Sequence, residues 1–181
     1  MDLREADLEE GQEWTGWHQM EKQLWPPAGF TELDTPEQRA AMADRLVADT
    51  KELEQKANAI TIKADQMGNG TKELLDEVAT GKVTGEEEKW SHTDLWDFQA
   101  NVDGARLAYQ ALRPIVLIKD KALASQLDTE FAAIQAELDK YKTADGFQYY
   151  DQLTPDHVKQ LSDSVNALSE PLSHLTSVVV L

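Results

Sequence analysis

Four side chains frame the chemistry this sequence can do: His18, Glu21, Asp94 and Asp97. One imidazole and three carboxylates are groups that bind a hard or borderline cation, or that move a proton. His18 and Glu21 lie inside Glu13-Trp14-Thr15-Gly16-Trp17-His18-Gln19-Met20-Glu21-Lys22-Gln23-Leu24-Trp25, which Pro26-Pro27 stops. Wound as a helix, this stretch puts Trp14, His18, Glu21 and Trp25 on one stripe, because the spacing follows the helical period. A row of Leu or Ile would ordinarily occupy such a core-facing stripe. Buried charge is costly unless it is paired or bound to a metal, so an inward His18 and Glu21 require a partner.

A second stripe repeats the pattern. Trp90, Asp94, Asp97, Asn101, Gly104 and Ala108 share one face of a helix expected from about Gly85 to Leu112. Leu95, Phe98, Val102, Ala105, Tyr109 and Leu112 form its ordinary packing face. Gly104 and Ala108 are small enough for a neighbouring backbone to come close. Two Trp-led helices packed face to face would converge on one cation, as bundle cores do with carboxylates and histidines from facing helices. One imidazole with several carboxylates suits iron, zinc or manganese and also holds copper; ligand type alone does not choose.

Each feature has a plainer reading. A His-x-x-Glu spacing is usually a surface helix pair, an acidic stripe is usually a solvated face, and Trp14, Trp17 and Trp90 are more often packing than ligand contacts. His92 falls in the first turns of its helix, where it would face the mouth of a site. His157 is expected in an N-terminal turn and His174 at a helix end.

The elements that must position these groups are helical throughout. The first helix is expected from about Leu3 to Trp25, with a break near Gly11. Thr35-Pro36-Glu37-Gln38 is a start signal: an N-cap Thr, Pro at the first helical position and Gln three residues on. Met42, Leu46, Leu53, Ile60 and Met67 then predict one long amphipathic helix, stopped by Gly68-Asn69-Gly70. Thr71 is expected to cap a short helix that Gly81 terminates. Thr84 to Glu87 reads as another capping box, and Pro114 as the end or kink of the helix it opens. Further helices run from about Lys121 to Lys142 and from Thr154-Pro155 onward, with Asp145-Gly146 as a turn between them and Pro171 as a bend. No segment alternates with period two, so no sheet is expected. The fold class is all-α: an antiparallel helical bundle of about five or six helices.

Bulk composition narrows the function. The chain has 181 residues, with 17 Lys plus Arg against 34 Asp plus Glu, for a formal charge of -17. Such an acidic surface repels phosphate backbones, which argues against nucleic-acid binding. There is no cysteine, so thiolate metal sites, disulfides and cysteine nucleophiles are excluded. No run approaches the roughly 20 apolar residues that cross a bilayer, so the chain is not expected to be transmembrane. The first residues, Met1 to Asp7, have no signal-peptide character.

Two segments resemble one family. Gly16 to Glu21 followed by Leu24-Trp25 resembles the Gly-x-His-x-x-Glu signature of the imelysin-like family, specifically its EfeO branch. Trp90-Ser91-His92-Thr93-Asp94-Leu95-Trp96-Asp97-Phe98-Gln99-Ala100-Asn101-Val102-Asp103-Gly104-Ala105 resembles that branch's second signature, and Val165 to Leu172 is also similar. The resemblance implies one helical domain over 1–181, in a periplasmic or cell-surface component of an iron-uptake system. Its implied partners are a membrane iron permease and a haem peroxidase-like protein. It implies metal binding through His18 and Glu21, with iron favoured over zinc or copper. Further acidic ligands are expected from neighbouring helices; the stripe argument puts Asp97 first and Asp94 next, with Trp14, Trp17, Trp90, Asn101 and His92 around them. The resemblance implies a long first helix with a Glu-rich stretch ahead of Asp2, which this chain is expected to lack. Its loss is expected to leave an apolar groove that favours a homo-oligomer. Two rival readings are an imelysin-type metallopeptidase, for which His-Glu-x-x-His is absent, and a metal-bridged binder of anionic polysaccharide, whose cue would be a Lys/Arg-lined cleft.

Overall fold

Helix starts follow the capping chemistry where Thr precedes Pro. Thr35 Oγ1 accepts from the Gln38 N–H at 3.2 Å, the Gln38 side chain accepts from the Thr35 N–H at 2.7 Å, and Pro36 opens the helix. Thr154, Pro155 and His157 repeat the device, which confirms His157 as a first-turn residue. The computed structural model describes residues 2–31, 33–80 and 82–180, without the side chains of 80 and 82. Described residues fall into two units, taken separately below.

The first unit comprises residues up to Thr61 together with Glu88–Ser91. It holds a short 3-10 turn at Glu5–Asp7, helix α1 (Trp17–Leu24) and helix α2 (Pro36–Ala59). The second comprises Ile62–Glu87 and His92 onward. It holds α3 (Ala64–Thr80), α4 (Asp94–Lys119), α5 (Lys121–Asp139), a two-residue antiparallel hairpin of β1 (Lys142–Thr143) and β2 (Gly146–Phe147), then α6 (Pro155–Leu172) and α7 (Leu175–Val180). The fold class is all-α, as expected. The hairpin, closed by Ala144-Asp145, one residue earlier than the expected Asp145-Gly146, is the only sheet among the described residues. Gly146 has φ +128°, and a Cβ there would lie 2.6 Å from the Trp96 ring, so the turn requires glycine.

The α3–α7 unit is a helical bundle around one apolar core, with Phe98, Leu127, Ile134, Leu138, Leu161 and Leu168 fully buried. α4 begins at Asp94, nine residues later than Gly85, because residues 85–93 form turns in which Gly85 (φ +71°) and His92 (φ +58°) adopt left-handed backbone. Thr84 to Glu87 is therefore not a helix start. α4 also runs through Pro114 to Lys119. The carbonyl that Pro114 leaves without its helical donor belongs to Gln110, an exposed residue.

The expected long helix is two helices. It breaks at residues 60–63, where Ile60, Thr61 and Ile62 are β-branched and favour extended backbone. Helix α3 then passes straight through Gly68-Asn69-Gly70. Gly68 packs against α7, since a Cβ there would lie 2.6 Å from Thr176 Oγ1, and the Thr176 hydroxyl donates to Asn69 Oδ1 at 2.7 Å. Thr71 caps nothing; it sits inside α3, its hydroxyl donating to the Met67 carbonyl. The expected stop at Gly81 lies outside the described residues. In α2, Leu46 is buried while Val47 and Leu53 are exposed, as is Ile60 just beyond its end.

Candidate functional site

Helix α1 is eight residues long and follows Gly16, whose φ of +109° turns the chain and whose missing side chain offers no cap. Asp2 supplies the cap from a distance. Its Oδ1 accepts the His18 backbone N–H at 3.3 Å, and its Oδ2 lies 3.0 Å from His18 Nδ1. A carboxylate at a helix N-terminus meets the exposed amide donors and the positive end of the helix dipole. The same carboxylate orients the imidazole, for with Nδ1–H donated to Asp2 the lone pair belongs to Nε2.

Glu21 sits one turn on and is 5% exposed. Its Oε1 accepts from the backbone N–H groups of Trp90 and Ser91, each at 2.7 Å, and lies 3.0 Å from Ser91 Oγ. The other oxygen, Oε2, is buried and accepts no hydrogen bond among the described residues. Glu21 therefore holds the 88–91 turn with one oxygen and leaves the second unused.

The tryptophans are arranged otherwise than the single stripe requires. Trp14 precedes the helix, its indole N–H donating to the Leu3 carbonyl at 2.7 Å. Trp17 and Trp25 are exposed at 54% and 45%. Trp90 lies in the turn before α4, not on it, and its ring tilts against Trp14 with centroids 6.0 Å apart. Trp14, Trp90 and Phe30 surround the Lys22 ammonium, which lies 5.4, 5.5 and 4.9 Å from their ring centres. Both Glu5 oxygens accept from that ammonium at 2.6 and 2.7 Å. Lys22 thus fills a box of rings and carboxylate. The exposed Glu13 carboxylate pairs with Arg45 of α2 at 2.7 Å.

In the α3–α7 unit, Asp94 is fully buried at the first position of α4, and its Oδ1 accepts the Glu87 N–H at 3.2 Å. Asp97 is half-buried in the same turn. Asn101 donates to the Leu74 carbonyl of α3 at 3.2 Å, and a Cβ on Gly104 would touch Leu74, so this part of the stripe faces α3. His92 lies in the turn before α4, where its carbonyl accepts the Tyr150 N–H at 2.8 Å. Burial first, then the neighbouring Asp94 charge, pushes the Tyr150 hydroxyl up to about 12, and that hydroxyl donates to the Val83 carbonyl. His174 is exposed between α6 and α7, as expected. Among the described residues, no three His, Asp or Glu side chains gather closely enough to hold a metal ion.

Two features escape sequence reasoning. Asp2 is sixteen residues from His18, and nothing in its surroundings marks it as a cap. Arg106 and Arg113 form no cluster in sequence, yet seven residues apart on α4 they line one groove beside α5.

The family model for imelysin, peptidase M75, matches residues 1–175. The chain is similar to an Efem/EfeO family lipoprotein of Staphylococcus haemolyticus, 42% identical over 181 residues, which cover 98% of this chain and 61% of that protein. It is likewise similar to an Efem/EfeO family lipoprotein of Staphylococcus aureus, 39% identical over 182 residues, 98% of this chain and 62% of that protein. The chain thus spans about three-fifths of the length of the curated relatives it matches. No described helix is long and apolar enough to cross a membrane.

Proposed function

This chain belongs to the imelysin family, and from that premise we propose that it captures a metal cation, iron first, for an EfeO-type uptake system. His18 and Glu21 are the primary ligands in this reading. The supporting observation is that both are buried one turn apart, each held by one polar atom: Nδ1 by Asp2, Oε1 by the amides of Trp90 and Ser91. Ligating histidines commonly donate their second N–H to a carboxylate, which fixes the ring and raises its basicity. An anchored carboxylate with its other oxygen buried and unbonded fits the same role. Asp97 and then Asp94 are our candidates for the further acidic ligands, with Asn101 and His92 as their neighbours in sequence.

Capture requires deprotonated ligands, so affinity falls as pH is lowered. In such a system the cation would pass to a membrane permease with a haem peroxidase-like partner, at the cell surface or in the periplasm; the lipoprotein name of the relatives supports that placement. The exposed hydrophobes of α2 are where self-association would occur.

Calorimetric titration tests the reading, using ferric iron as its nitrilotriacetate chelate, and ferrous, zinc and copper ions. Wild type should bind, and His18→Ala should bind at least about tenfold more weakly, a difference of about 1.4 kcal/mol. Equal binding by the two proteins removes His18 from the site. Chelator-sensitive cleavage of an unfolded protein, lost in Glu21→Ala, would favour the peptidase in the family's description instead.

A further inference from the structure

Helix α4 turns a continuous seam to solvent. Its inner face is buried along Phe98, Val102, Ala105, Tyr109, Leu112 and Val116. On the opposite side Asp103, Leu107, Gln110, Pro114 and Leu117 follow one another in steps of four and three, with Ile118 beside them. All six are exposed, Leu107 at 68% and Ile118 at 86%. Helices α3, α5 and α7 pack on the other sides of α4 and leave this one open. Scattered exposed hydrophobes are ordinary, but steps of four and three are the spacing at which one helix lies along another.

The seam is complementary to itself. Reversed end for end about Leu112, it sets Leu107 on Leu117, Gln110 on Pro114, and Asp103 on Lys121, the exposed lysine just past the end of α4. Asp103 accepts from Gln99 at 3.0 Å, and neither it nor Lys121 forms an ion pair among the described residues. Within one chain they cannot meet, because the helix between them rises roughly 27 Å. Every acid of α4 also precedes every base: Asp94, Asp97 and Asp103, then Arg106, Arg113 and Lys119. An antiparallel copy therefore lays opposite charges over each other, as a two-fold contact between identical surfaces requires.

We infer that two copies of this chain associate through α4, antiparallel about Leu112, with Leu107, Leu117 and Ile118 as the apolar contact and Asp103 paired to Lys121 of the second copy at each end. The inference needs neither His18 nor Glu21 and stands apart from the metal reading. It also concerns a face other than α2, whose exposed Val47 and Leu53 lie roughly 120° apart around their helix and form no seam. Sedimentation velocity of the full chain from about 10 to about 500 μM, in about 0.15 M salt, tests it, because so small a contact is weak and the charge of -17 must be screened. Wild type should pass from monomer to dimer across that range. Leu107→Glu should stay monomeric with an unchanged circular dichroism spectrum, and Leu53→Glu should behave as wild type. Asp103→Lys and Lys121→Asp should each weaken the dimer by about tenfold, and the double swap should restore it. Asp103→Lys lowers the general repulsion between copies, so non-specific association would instead grow stronger. A monomer at every concentration, a dimer that survives Leu107→Glu or is lost in Leu53→Glu, or a double swap no tighter than the single ones would overturn the contact. So would a monomer that binds phosphatidylcholine vesicles through Leu107 in place of a second copy.

Discussion

In the α3–α7 bundle the fully buried side chains are mostly hydrocarbon, Phe98, Leu127, Ile134 and Leu161 among them, with Asp94 as the charged exception. In the unit that carries α1 and α2, Leu46 is the buried large hydrophobe among the described residues, and the other buried side chains are His18, Glu21 and Ser91. Hydrocarbon burial stabilises without a partner, whereas polar burial costs free energy until each group is bonded. The bundle is thus held by its core. The α1 unit is held by directional contacts: Asp2 on the helix start, Glu21 on the 88–91 turn, and Lys22 among its rings. Regions with little apolar burial sit at the low end of local stability and are where binding produces the largest ordering.

The largest effect expected from breaking this contrast is in the bundle. Ile134→Ala should destabilise the protein by about 2–5 kcal/mol in denaturant titration, because it opens a cavity in a packed core. Glu21→Ala should cost less, about 1–3 kcal/mol, by leaving two amide donors unmatched. Hydrogen exchange should place that loss at residues 88–91 and α1, while the amides of α5 and α6 keep their protection.

Tyr150→Phe should cost about 1 kcal/mol, the ordinary contribution of one hydrogen bond, here to the Val83 carbonyl. Its pH dependence has a fixed sign. The hydroxyl is pushed up to about 12 in the folded protein, against about 10 when unfolded. Its contribution is therefore complete below about pH 10 and is lost as pH rises toward 12. The stability difference between wild type and Tyr150→Phe should shrink across that window in alkaline denaturation curves. The smallest effect belongs to α2, where Leu53→Ala at an exposed position should change stability by less than about 0.5 kcal/mol.

Helical character, the apolar faces of α4, α5 and α6, and the Thr-Pro starts were legible because each depends on local spacing or on a neighbour three residues away. Boundaries that depend on tertiary contact were not. Gly68 reads as a stop until α7 is seen lying against it, and Pro114 reads as an end until Gln110, the residue one turn before it, proves to be exposed. The break at Ile60-Thr61-Ile62 was available in the sequence as a β-branched run, but the heptad pattern across it was stronger. At the site, the His18 and Glu21 pairing follows from helical spacing and their burial is as expected. Trp14 and Trp90 were misplaced because Gly16 and the turns at 85–93 end the helices that the periodicity extends. Their shared cation is Lys22. Asp2 was invisible for a simpler reason: its partner is remote in sequence.

The account turns on the imidazole at position 18. Side-chain nitrogen NMR of the histidines, with one equivalent of diamagnetic zinc as the probe ion, reads it directly. The account predicts that Nε2 of His18 moves on metal addition while Nδ1 keeps its bond to Asp2, with His157 and His174 unchanged. A titration in which His18 stays fixed while the metal shifts other residues would contradict it.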